Sequence, residues 1–95
     1  MQQRRWLPEE VLERIRQYVI ENFLYMRPNL QLKDSDSLMK RGLVDSMGVA
    51  EVLEFLRDEF GVQIEDDEIT ETNLGSLAAI AKFVVGKQHA QGDTY

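Results

Sequence analysis

Three stretches of this chain repeat apolar residues at helical spacing, and none alternates them as a half-buried strand would. Val11, Leu12, Ile15, Tyr18, Val19 and Phe23 make the first stripe. Val49, Val52, Leu53, Leu56 and Phe60 make the second, and Leu77, Ile80, Ala81, Phe83 and Val84 the third. The punctuation fits the stripes. Pro8, Glu9 and Glu10 read as a helix start, with a proline pre-set for the first turn and acids suited to the dipole. That helix is predicted to end near Tyr25, because Pro28 disfavours helical geometry at Arg27. The second is predicted over Ser46 to Phe60, stopped by Gly61, and the last from a cap at Ser76 to about Gly86.

Between the first two helices lies a connection of about twenty residues, Met26 to Asp45, long for a compact domain. Leu30, Leu32, Leu38 and Leu43 are expected to pin it down. Asp34-Ser35-Asp36-Ser37 lacks the ligands and glycine of a calcium loop and is read as turn and capping chemistry. Val62-Gln63-Ile64 is too short to pair as a strand and should cross the bundle with Ile64 inward. Glu65 to Ile69 suggests a short acidic helix; its acids have no defined ligand spacing, so no metal site is assigned. The expected fold is therefore all-α, a small four-helix bundle with a long loop between helices I and II and a short helix III. One domain over residues 8–86 is expected, with a flexible lead-in at 1–7 and a disordered tail at 87–95.

Composition narrows the function. Ninety-five residues support one modest core and no large enclosed active site. The absence of cysteine excludes disulfides, thiolate metal sites and a cysteine nucleophile together. The single histidine, His89, lies in a polar stretch away from any serine, which argues against a hydrolytic triad. No apolar run reaches membrane-span length and no signal-peptide segment stands at the N-terminus, so a cytoplasmic protein is expected.

The formal charge of −6 is unevenly placed. Residues 45–71 hold ten acids against one base, Arg57; the rest of the chain holds seven acids and ten bases. Nucleic acid is a poor partner for such a surface, and a basic protein patch a good one. At 100° per residue, Met47, Glu51, Glu54 and Asp58 fall opposite the core stripe of the second helix, with Phe55 and Glu59 at the margin. A solvated acidic face needs no partner. An apolar Met47 set among those acids reads instead as an interface anchor ringed by polar groups.

At the head of that helix stands Gly42-Leu43-Val44-Asp45-Ser46-Met47-Gly48. Ser46 could cap the helix or hold a phosphate at its positive end. The segment Gly42 to Met47, with the acidic helix behind it, resembles the modification site of acyl carrier proteins and related peptidyl or aminoacyl carriers. Leu38 to Gly42 resembles the family's approach to that serine, and Asp58 to Ile64 its end of helix II. Ile69 to Leu77 and on to Val84 resembles its helices III and IV.

The resemblance implies that Ser46 is esterified by 4′-phosphopantetheine, whose thiol carries an acyl or aminoacyl group as a thioester. It implies no catalytic residue in the carrier itself. Asp45 would help the modifying phosphopantetheinyl transferase dock and organise its metal. Met47, Glu51, Glu54, Phe55 and Asp58 would face partners: that transferase, an acyl- or aminoacyl-loading ligase and a downstream transferase or synthase. A monomer is expected. Two positions depart from many fatty-acid carriers, which have acids where this chain has Gly48 and Arg57. Gly48 is similar instead to stand-alone D-alanyl carriers and discrete carriers of specialised pathways.

Two competing readings remain. In one, the chain is an unmodified acidic helical interaction module whose Ser46 is only a helix N-cap. In the other, Ser46 is a hydrolytic nucleophile; Val44 stands where the first glycine of a nucleophile elbow should be, which weakens it.

Overall fold

The computed structural model describes residues 6–92, and side chains through residue 90. Four α-helices follow in order: α1, Pro8–Phe23; α2, Ser46–Phe60; α3, Glu71–Leu74; and α4, Leu77–Gly92. A single 3-10 turn, Asp66–Glu68, precedes α3, and no strand occurs among the described residues. The expected all-α bundle with a long first loop and a short third helix is the observed one.

Each stripe closes on a common core. Val11, Ile15 and Val19 of α1, Val52, Leu53, Leu56 and Phe60 of α2, and Leu77, Ile80, Ala81 and Val84 of α4 are all buried. Gly61 ends α2 in the left-handed conformation (φ 66°), which glycine adopts without Cβ strain, and its N–H bonds the Arg57 carbonyl at 3.0 Å.

The α1–α2 seam is aromatic from end to end. Phe23 meets Tyr18 edge-on at 6.0 Å, and Tyr18 stacks on Phe55 at 4.0 Å. Phe55 meets Phe60 at 5.9 Å, and Phe60 meets Trp6 at 4.9 Å. Since Phe23 ends α1 while Phe60 ends α2, the two helices run antiparallel, and the Phe23 end of α1 lies beside the start of α2.

The long connection is stitched down as its leucines suggest. Leu32, Leu38 and Leu43 are buried, and Leu30 packs on the core from its edge. The Leu38 amide bonds Gly75 at 2.8 Å, and the Ala78 amide bonds Asp34 at 2.9 Å, tying the loop to the start of α4. Arg16 pairs with Asp34 and donates to the Leu32 carbonyl, while Arg41 pairs with Asp36 and donates to the Gln31 carbonyl. The acids of the 34–37 stretch thus serve turns and ion pairs.

Four boundaries differ from expectation. α1 stops at Phe23, two residues early, because Leu24 turns into the core and the chain bends through an Arg27–Leu24 hydrogen bond. The third helix lies at Glu71–Leu74, capped by the Thr70 hydroxyl on the Asn73 amide, and the acidic 65–69 stretch supplies only the 3-10 turn. Trp6, assigned to a loose lead-in, is seated on Phe60; residues 1–5 lie outside the described residues. The tail expected to be disordered from 87 continues α4 to Gly92. Lys87 bridges to Glu68 at 2.8 Å, and Gln88 donates to the Phe60 carbonyl at the end of α2, so tertiary contacts carry the helix past Gly86. Residues 93–95 lie outside the described residues.

Candidate attachment site

The approach to α2 is a tight turn. The Leu43 and Val44 amides both bond the Leu38 carbonyl, and Gly42 takes a left-handed φ of 70°. Leu43 and Val44 are driven inward, to 7% and 4% exposure, and the chain emerges at Asp45. Burying two consecutive residues just before the helix leaves Asp45, Ser46 and Met47 at the surface.

Asp45, not Ser46, is the N-cap. Its backbone is extended, and its Oδ1 accepts the Gly48 amide at 2.8 Å. Ser46 is the first helical residue, exposed, and its hydroxyl has no hydrogen-bond partner among the described residues. This corrects the reading of Ser46 as the cap: a cap must keep extended φ/ψ, and the residue that does so here is Asp45. The Ser46 and Met47 amides, the first two of the helix, meet no acceptor among the described residues.

The other three serines differ. Ser37 donates to Glu71 at 3.1 Å and accepts the Lys40 amide, and Ser76 caps α4 through the Ala79 amide at 3.1 Å. Ser35 is exposed, but it sits in a turn between two aspartates already paired with arginines, with no long helix behind it.

Along α2, Met47 is 78% exposed and Glu51, Glu54 and Asp58 are exposed on the same side, as the spacing predicted. These three carboxylates pair with no cation among the described residues. Glu59, at the margin, is taken by Arg14 at 2.8 Å. Phe55 is half-buried and roofed by Tyr18. Tyr18 and Arg14 are the participants that the sequence did not disclose. The Tyr18 hydroxyl donates to the Glu51 carbonyl at 3.3 Å, and the Arg14 guanidinium lies 5.5 Å from the centre of the Phe55 ring. Tyr18, Phe55 and the acids of α2 line a shallow groove of about 330 Å³. Burial raises the Tyr18 pKa, and the Glu51 and Glu54 carboxylates raise it further. The helical spacing of Tyr18 announced only a core contact; its hydroxyl gave no signal in the sequence.

Gly48 is buried on the inner side of the first turn. A Cβ there would stand 2.9 Å from the Phe23 ring edge and 2.9 Å from a Val44 methyl. The absence of an acid at this position thus has a packing cause. Arg57, the other departure, is exposed and reaches the Ile64 carbonyl at 3.4 Å.

The residues around Ser46 fit a covalent phosphoester. The hydroxyl is exposed and uncommitted, free amides lie beside it, and the one adjacent carboxylate is held on the Gly48 amide. Among the described residues, no helix is long and apolar enough to cross a membrane. No curated protein sequence matches the chain. The family model for the phosphopantetheine attachment site matches residues 13–84, from within α1 to within α4. Domains of this family hold 4′-phosphopantetheine covalently on a serine and carry substrates without catalysing reactions themselves. With that match over most of its length, the chain belongs to the phosphopantetheine attachment site family and is a carrier protein.

Proposed function

We propose that Ser46 is the attachment serine and that the carrier holds an acyl or aminoacyl cargo for the enzymes of one dedicated pathway. The observation that carries this reading is the free, exposed hydroxyl at the first position of α2, with Asp45 performing the capping. When attached, the group supplies a thiol on a long arm, where the cargo is held as a thioester. Ser46 supplies the ester oxygen. No base touches its hydroxyl among the described residues, so the proton must leave with the help of the transferase. The exposed start of α2 favours a phosphate's negative charge by about 0.3–1 kcal/mol.

The partner-facing surface is Met47, Glu51, Glu54, Phe55 and Asp58. Met47 gives an adaptable apolar contact, and the unpaired acids steer a basic patch towards it. The transferase, a loading ligase and a downstream transferase or synthase would share this face in turn. Gly48 and Arg57 favour a discrete carrier over one serving general fatty-acid synthesis. The reading extends to a carrier that works as a cytoplasmic monomer.

The test uses coenzyme A and a broad-specificity phosphopantetheinyl transferase on wild type and the four single serine-to-alanine variants. Ser35→Ala, Ser37→Ala and Ser76→Ala should each accept one phosphopantetheine, and Ser46→Ala none. Transfer to Ser46→Ala would refute the assignment.

A further inference from the structure

Gly48 joins three features at one point: the cap, the attachment turn and the last ring of the aromatic seam. Its amide holds Asp45 Oδ1 at 2.8 Å. The space a side chain would need is filled by Phe23 Cε1 and Val44 Cγ1, each 2.9 Å from the Cβ position, with Asp45 Oδ1 at 3.4 Å. One wall is buried and the other half-buried. Val44 is 4% exposed and β-branched, and the Phe23 ring is the end of a packed row reaching Trp6. A side chain at 48 would therefore lift the first turn of α2 from α1 and press on the capping carboxylate.

We propose that Gly48 and Phe23 form a seat that sets how Ser46 and Asp45 are presented to the modifying transferase. Both are positioning residues; neither meets the reacting atoms. The proposal rests on Ser46 being the attachment serine. Gly48 faces inward, so its effect must pass through the backbone of the turn rather than through a lost contact with the enzyme. Phe23, on another helix, should then matter to a reaction at Ser46.

The experiment measures transferase kcat/KM on the full chain with coenzyme A, beside thermal unfolding of each variant. Gly48→Ala should lose roughly tenfold or more in kcat/KM, the scale on which an ångström of misplacement acts. Phe23→Trp, pressing on the same notch from the other wall, should lose rate too and serves if Gly48→Ala does not fold. The pair Gly48→Ala with Phe23→Leu, which frees the space, should return to within about threefold of wild type. Leu56→Ala, a core truncation away from the seat, should unfold at lower temperature yet be modified at near wild-type rate while folded. A wild-type chain that gains no arm sinks the attachment reading, and the seat with it. Wild type modified at Ser46 with Gly48→Ala and Phe23→Trp equally fast overturns the seat alone. So does a rate loss in Leu56→Ala as large as in Gly48→Ala.

Discussion

Asp45 accepts the Gly48 amide at 2.8 Å, and this bond relieves Ser46 of capping α2. Cap and attachment duties thus fall on neighbouring residues. Ser46→Ala should change stability by no more than about 0.5 kcal/mol, as an exposed substitution outside any cap. Asp45→Ala should cost about 0.5–2 kcal/mol, as a lost N-cap does. Denaturant unfolding of the two variants decides it; the reverse order would return the capping role to Ser46.

Gly48→Ala sets two effects against each other. Replacing a helical glycine by alanine gains about 0.5–1 kcal/mol in backbone entropy. Overpacking against Phe23 and Val44 costs about 1–3 kcal/mol. The steric cost exceeds the entropic gain, so unfolding should show net destabilisation. Adding Phe23→Leu should remove most of it by relieving the clash.

Glu68 is one of two ties on the C-terminal part of α4, through Lys87. Its pKa is lowered, first by the Lys87 hydrogen bond and then by the Glu65 amide. A lowered folded value means stability present above the ordinary carboxylate value and lost as pH falls through the folded one. Lys87→Met should flatten that acid limb below about pH 4.5 and speed amide exchange beyond Gly86. Asp36, lowered by the Lys33 amide and Arg41, also contributes stability that is lost on acidification and will leave a residual slope.

Tyr18 reports the field of the α2 acids. Burial raises its pKa first, then Glu51 and Glu54. The raised folded value keeps the neutral phenol, whose contribution is full below the unfolded pKa of about 10 and is lost as pH rises through the folded one. Glu51→Gln with Glu54→Gln should bring Tyr18 part of the way back, since burial persists. Ultraviolet titration in a background with Tyr25→Phe and Tyr95→Phe isolates it. No movement would mean that the acids do not act on the groove.

Much of this molecule is legible in its residues, because helical periodicity fixes faces before packing is known. Val52, Leu53, Leu56 and Phe60 turned inward and Met47, Glu51, Glu54 and Asp58 outward as their spacing required. Terminal residues are harder. Asp45 and Ser46 are both good caps, and only the turn built by Leu43 and Val44 decides which keeps the extended backbone. α4 outran Gly86 because Glu68 and Phe60, distant in sequence, hold Lys87 and Gln88. For the same reason Gly48 read as a family difference in one dimension and is a packing notch in three.

The central assignment is tested most directly by fragment-ion mass spectrometry of the intact chain purified from its own host. One phosphopantetheine, with any cargo on its thiol, should localise to Ser46. An arm on any other residue, or an unmodified chain in cells whose transferase is active, would contradict the assignment.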